Sequence, residues 1–304
     1  MLNRKDFIRK AAVGSGLLLA GGFPFESLAG DNKMRKLTIL HTNDVHSRLE
    51  PFPADAGKYA GQGGIAARLA LVEQIRREED HVLLLDAGDI FQGTPYFNLY
   101  KGEPEMKAMS LLRYDATTMG NHDFDAGVDG FAAQLPHANF PVLIANYDFS
   151  QTSLDGKTKP YTVIHKAGLR IGIFGLGIQL KGLVPDDAYG KTQYIEPVQV
   201  AKSVSERLKK QEKCDLVICL SHLGFEYDGR KVSDKILARE TEYIDLIIGG
   251  HTHTFLDKPT VVKNADGKEV LVNQTGCYGI NLGRIDFYLD NQKNASSSGR
   301  SILV

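Results

Sequence analysis

Five short segments of this 304-residue chain close apolar runs with residue types that bind metals: HTNDVH (41–46), DAGD (86–89), MGNHDFD (119–125), SHLG (221–224) and GGHTH (249–253). Asp44 and His46 are spaced i, i+2, as are His251 and His253. On an extended chain such residues point to one side, so each pair is expected to reach one metal ion together. Asp89 follows Gly88, whose missing side chain lets the backbone turn sharply, and its two oxygens could bridge ions about 3.5 to 4 Å apart. Asn121 offers a neutral amide oxygen and His222 another imidazole. Imidazole, carboxylate and amide without thiolate suit zinc, manganese or iron better than copper or an iron–sulfur centre. The other candidates in these segments read as support. His41 is a strand-end residue, Asp86 precedes the Ala-Gly turn, and Asp123 caps or orients its loop. His81, His137 and His165 lie in polar connections and read as surface or structural residues.

Such a constellation needs elements that bring distant segments together. Apolar runs at 37–40, 82–85, 116–119, 142–145, 171–176, 216–220 and 244–248 have the length and β-branched content of buried strands. Between them, Ile65, Leu69, Val72 and Ile75 recur at helical spacing, as do Val200, Val204 and Leu208 in a helix that Pro197 starts. Alternating strand and helix patterns predict an α/β layered domain. Ligands in open α/β sheets bind in the crevice beyond the carboxyl ends of strands, where all five segments fall. Shorter runs at 260–263, 269–273 and 282–289, separated by Asn264-Ala265-Asp266-Gly267 and Gly276 to Gly279, predict antiparallel strands late in the chain. Residues 291–304 are polar and Ser-rich and are expected to be a disordered tail.

A formal charge of −1 gives no global field for nucleic acid or acidic membrane, so no nucleic-acid polymer is expected as a partner. Residues 1–29 read as an export signal: Arg4, Lys5, Arg9 and Lys10 precede a mildly apolar run from Ala11 to Phe25, and Ser27-Leu28-Ala29 offers a cleavage site. The stretch Asn3 to Arg9 resembles the twin-arginine motif, with Lys5 for the second arginine and Ile8 for the usual leucine, so the general secretory route stays open. The run is too short and Gly-interrupted to span a bilayer, which predicts an exported, periplasmic or extracellular protein without a stable membrane anchor. Cys214 and Cys219 are too far apart along a strand for a disulfide, and Cys277 has no paired motif, so all three read as free thiols.

HTNDVHSRLEP, LLLDAGDIFQGTPYF, TTMGNHDFDAG, LSHLG and IIGGHTHTFLD resemble, in order, the successive blocks of the calcineurin-like metallophosphoesterases, and among them the catalytic domain of the 5′-nucleotidases. The resemblance covers residues 30–290. It implies a four-layer α/β/β/α sandwich with two divalent metals at the ends of the sheets. Asp44, His46, Asp89 and His253 would hold one ion, and Asp89, Asn121, His222 and His251 the other. His122 and Asp125 match the family's catalytic dyad, and their three-residue step could close within one tight turn.

The expected reaction is hydrolysis of a phosphate monoester by in-line attack of a metal-bound hydroxide. Two divalent ions, two carboxylates and one hydroxide leave about +1 to attract a phosphate dianion. Family members carry a further C-terminal domain that grips the nucleoside, and this chain is expected to lack it, ending near Leu289 where that domain would begin. The resemblance therefore supports a small phosphate ester, such as a nucleotide, as substrate without specifying it. The alternatives are a phosphodiesterase or cyclic-nucleotide phosphodiesterase, the catalytic half of a split nucleotidase whose substrate domain is a separate chain, a sulfur-ester hydrolase, and a non-catalytic metal-binding protein.

Overall fold

A computed structural model describes residues 35–290 and 295–304; the export signal expected over 1–29 lies outside the described residues. Strand β1 (Arg35–Thr42) is followed by helix α1 (Ile65–Glu78), β2 (Val82–Asp86), α2 (Pro95–Tyr100), α3 (Glu103–Leu111), β3 (Ala116–Thr117) and α4 (Gly127–Gln134). Next come β4 (Tyr147–Asp148), β5 (Tyr161–Lys166), β6 (Leu169–Leu176), α5 (Asp186–Tyr189), β7 (Gln193–Tyr194), α6 (Pro197–Lys210) and β8 (Leu216–Ser221). The chain closes with α7 (Asp234–Glu240), β9 (Leu246–Gly249), β10 (Thr260–Lys263), β11 (Glu269–Asn273), β12 (Asn281–Leu289) and β13 (Ala295–Leu303).

The strands form two main sheets, ordered β13-β12-β1-β2-β3 and β10-β11-β9-β8-β6-β5, with β4 and β7 making a small third pair. In the first sheet β1, β2 and β3 run parallel; in the second β6, β8 and β9 do. Leu37, Ile39, Leu83 and Leu85 of one sheet meet Ile171, Ile218, Leu220 and Ile248 of the other in a dry inner layer. Val72, Ile75, Met106 and Phe131 cover the outer face of the first sheet, and Ala201, Leu208 and Leu237 that of the second. The result is the four-layer α/β/β/α sandwich. Strands covered on both faces need no polar alternation, which is why β2 and β8 read as continuous apolar runs.

Several elements differ from the sequence reading. The expected tail is instead β13, which pairs antiparallel with all of β12, from Leu303 opposite Asn281 to Ala295 opposite Leu289. Ladder bonds use main-chain groups, so a Ser-rich composition does not forbid a strand where a sheet edge stands open. Its end is tied further, with Val304 N–H donating to Ile280 O and Gly63 N–H to Val304 O. The run at 142–145 forms only isolated bridges, through Val142 and Leu143. The β10–β11 hairpin is antiparallel as expected, yet β11 joins β9 in parallel. On α1, Leu69 is exposed while Arg68 turns inward; on α6, Val198, Ala201, Ser205 and Leu208 form the buried stripe, with Val200 and Val204 only partly buried. Cys214, Cys219 and Cys277 are free and buried. Among the described residues, no helix is long and apolar enough to cross a membrane.

Candidate metal centre

The five segments leave β1, β2, β3, β8 and β9 at their carboxyl ends, and the facing sheets bring them to one place. Two groups of donors form there: Asp44, His46 and His253, and Asp89, His222 and His251, each with its ligand atoms within 4.8 Å of one another. Asp44 and His46 lie beyond the end of β1 and His251 and His253 beyond β9, so strand alternation does not aim them. Asp44, His46, Asp89, His251 and His253 all take positive φ, from +51° to +74°. Left-handed backbone costs a non-glycine residue about 1–3 kcal/mol and concentrates at functional sites. Asp44 and His46 nevertheless share one group, as their spacing predicts, whereas His251 and His253 fall in different ones.

His46 Nε2 lies 3.0 Å from His253 Nε2. The Asp44 Oδ1 atom stands 3.4 Å from His253 Nε2, 3.8 Å from His222 Nε2 and 4.0 Å from His46 Nε2. Asp89 Oδ2 is 3.1 Å from His222 Nε2 and 3.8 Å from His46 Nε2, so this carboxylate lies between the two groups. Asn121 Oδ1 and His251 Nδ1 converge at 2.7 Å, a separation suited to a hydrogen bond or to two donors on one ion.

Whether these residues fit divalent ions is tested by His222. Its Nδ1 meets Ala87 O at 2.7 Å, so Nδ1–H is committed to the backbone and Nε2 is the atom left to take either a proton or an ion. That nitrogen is buried without a hydrogen-bond partner and faces the carboxylates. Burial opposes protonation of His222, yet Asp89, with Asp44 beyond it, holds the imidazole up at about 10. Asp44 likewise raises His253 to about 10, with the Cys277 thiol adding to it, whereas burial and the neighbouring His222 lower His251 to about 4. Buried carboxylates and convergent lone pairs that call for positive charge are the chemistry of a cation site. The two donor groups fit a dinuclear divalent metal centre.

Glycines give the donors room. A Cβ on Gly88 (φ +85°) would come within 2.5 Å of Gly120 N, and one on Gly120 within 2.1 Å of Asp89 Oδ1. Asp123 orients the loop as expected, its carboxylate accepting from the N–H groups of Asp89, Ile90, Phe91 and Gly120. Asp86 accepts from Gly88 N–H, Thr42 Oγ1 and Thr117 Oγ1. His41, fully buried, meets Asn273 Nδ2 at 2.8 Å and lies outside both donor groups.

Beside the centre, His122 begins a 3-10 turn that ends at Phe124, and Asp125 N–H donates back to His122 O. This turn sets His122 Nδ1 2.9 Å from Asp125 Oδ2. The bond to Asp125 raises the imidazole above its usual range against partial burial. The backbone N–H of His122 donates to Asp89 Oδ1, and its ring lies 5.3 Å from that of His46.

Sequence reasoning missed the groups that steady the GGHTH loop. Gln274 Nε2 donates to Gly250 O and to Asp234 Oδ2, and its Oε1 accepts from Thr254 N–H. Ser221 Oγ donates to Asp234 Oδ1, joining the SHLG segment to the same network. Asn43 donates to Asp44 Oδ2 and Gly276 O while accepting from Thr275. The only local signal was a cluster of amide residues, N-Q-T-G, ending β11.

The family model described as calcineurin-like phosphoesterase matches residues 37–255, a span that contains every donor in both groups. The chain belongs to this family. It is 36% identical over 292 residues to a snake venom 5′-nucleotidase of Crotalus adamanteus, covering 88% of this chain and 48% of that protein. With a 5′-nucleotidase of Homo sapiens it shares 36% identity over 318 residues, covering 97% of this chain and 54% of that one. Among solved structures, a 5′-nucleotidase precursor from Thermus thermophilus superposes with a TM-score of 0.80 at 35% identity, covering 88% of this chain and 54% of that chain. The chain thus spans about half the length of the relatives it matches.

Proposed function

We propose that this protein hydrolyses phosphate monoesters in the manner of a 5′-nucleotidase, with two divalent ions held between its sheets, and that it acts after export. Asp44, His46 and His253 would hold one ion and Asn121, His222 and His251 the other, with the Asp89 carboxylate placed between the two groups to serve both. When bound, such ions supply Lewis acidity toward phosphoryl oxygens and lower the pKa of water, and zinc, manganese and iron all suit the donor set.

The chain's own contribution to the reaction is His122. With Nδ1–H committed to Asp125, its Nε2 is left for the substrate, and the raised pKa favours the form that donates a proton or hydrogen bond there. That cation faces charge developing on the phosphoryl or leaving oxygen, where a fixed donor stabilises the transition state most. Asp125 positions the ring and compensates its charge. The position of this dyad, against Asp89 and His46, carries the reading. Export is supported by the basic-then-apolar pattern of residues 1–29 and by relatives named for venom.

The test is a panel of nucleoside monophosphates, cyclic nucleotides, an aryl monoester and an aryl diester, with chelator and after adding back manganese or zinc. Monoester turnover is expected to vanish with chelator and return with metal. His122→Ala is expected to keep its metal and lose about 10²- to 10⁴-fold in turnover, whereas His251→Ala loses metal as well. Preference for diesters, or turnover indifferent to chelator, would overturn the proposal.

A further inference from the structure

The rim of the centre beside His46 and His253 is aromatic, and hydrolysis as derived above makes no use of it. The Tyr278 ring lies 5.8 Å from that of His46 and 6.0 Å from that of His253, centroid to centroid. Phe52 meets Tyr278 edge-on at 5.8 Å, and Tyr59 extends the row 5.5 Å beyond Phe52. The Arg48 guanidinium stands 4.2 Å from the Phe52 centroid and 5.9 Å from that of Tyr278, and its Nε is buried without a hydrogen-bond partner.

Two observations separate this row from core packing. Phe52, Tyr59 and Tyr278 are each half-buried, whereas the core rings Phe91, Phe124, Phe131 and Phe174 are fully enclosed. Tyr278 also holds a left-handed backbone, φ +60°, which a bulky residue adopts at a cost. Its N–H donates to Asp44 O at 2.7 Å, so the strained conformation is latched to a segment that supplies metal donors. That latch holds the Tyr278 ring at a fixed distance from the centre.

We propose that Tyr278, backed by Phe52 and Tyr59 and crossed by Arg48, is a stacking wall for the leaving group, selecting phosphate monoesters that carry a planar aromatic ring. The inference rests on the monoesterase reading and names its substrate class. Tyr278 adjoins the rings that ligate, which suits an aryl group joined directly to the ester oxygen. The row continues outward through Phe52 and Tyr59, which suits a heterocycle carried behind a sugar. The shared chemistry is a π face, and the arms of the experiment distinguish the two sources.

The experiment is calorimetric titration of the manganese-loaded chain with three non-hydrolysable ligands: phenylphosphonate, a nucleoside 5′-phosphonate and methylphosphonate. Tyr278→Asn keeps a residue tolerant of left-handed backbone and removes the ring. The ratio of ring-bearing to methyl affinity is expected to fall about 3- to 10-fold in this variant, the scale of one aromatic pair. Tyr278→Phe should retain the ratio, and Phe52→Leu should lower it less than Tyr278→Asn, which keeps the test open should Tyr278→Asn misfold. A fall for phenylphosphonate alone assigns the wall to aryl esters, and a fall for the nucleoside ligand alone to heterocycles behind a sugar. Ratios unchanged in Tyr278→Asn and Phe52→Leu would overturn the inference. Because the readout is binding, ring preference in a chain that hydrolyses nothing would sink the monoesterase reading alone. Hydrolysis without Tyr278-dependent preference would sink this inference alone.

Discussion

Asp123→Asn tests how the centre is built. Asp123 is fully buried, and its oxygens accept four main-chain N–H groups: Oδ2 from Asp89 (3.0 Å) and Gly120 (2.8 Å), Oδ1 from Ile90 (2.9 Å) and Phe91 (3.1 Å). Burial and the adjacent Asp89 push this carboxyl up to about 7, against the pull of the Gly120 and Phe91 N–H groups. Four donors converge on two oxygens, so the geometry serves the ionised form; a proton on either oxygen would turn an O–H toward an N–H. Asparagine replaces one oxygen with a donor and strands two buried N–H groups. At about 1–3 kcal/mol for each unsatisfied group, the variant is expected to lose about 2–6 kcal/mol. The loss is local to the loop that aims Asp89, so metal affinity should fall with stability. Urea unfolding of wild type and variant gives the first quantity, and metal stoichiometry after gel filtration gives the second. A variant within about 0.5 kcal/mol of wild type with its full complement of metal would refute the reasoning. Such a result would mean that Asp123 carries a proton in the folded state and that asparagine imitates it.

Asp125→Asn should shift the alkaline limb of kcat/KM toward lower pH. The bond to Asp125 is the largest influence raising His122, and removing it lets the imidazole lose its proton sooner; a pH–rate profile with an unmoved limb would exclude a cationic His122. Asp234 is held at about 7 by burial, above its ordinary 3.8. The folded chain therefore keeps a proton that the unfolded chain loses. This contribution is full below about pH 4 and is lost as pH rises through 7, by up to about 4 kcal/mol. Asp234→Asn should flatten that part of the stability profile, measured by urea unfolding at about pH 4.5 and 7.5; parallel profiles for the two proteins would count against it. Gly120→Ala puts a Cβ 2.1 Å from Asp89 Oδ1 and 2.6 Å from Asp89 N, so it should lose bound metal. Normal metal content in that variant would show that the loop yields.

What is local could be read from the chain alone. Donor types, their order at the ends of apolar runs, the Gly88 turn and the short step from His122 to Asp125 are properties of a few neighbouring residues, and all could be read before any fold was known. The same holds for the doubly covered strands, because burial on both faces leaves a continuous apolar run. Tertiary structure decided what depends on which strand ends face one another. It set His253 against His46, 207 residues away, and sent His251 and His253 to different donor groups, which no i, i+2 rule anticipates. It turned a Ser-rich tail into β13, since pairing with an open edge uses main-chain groups that composition does not report. It also carried Asn43, Gln274 and Tyr278 to the centre. Their roles come from the approach of β11 to β9 and of β12 to β1, and hydrophobic periodicity reports only which face of an element is buried, never which element it will meet.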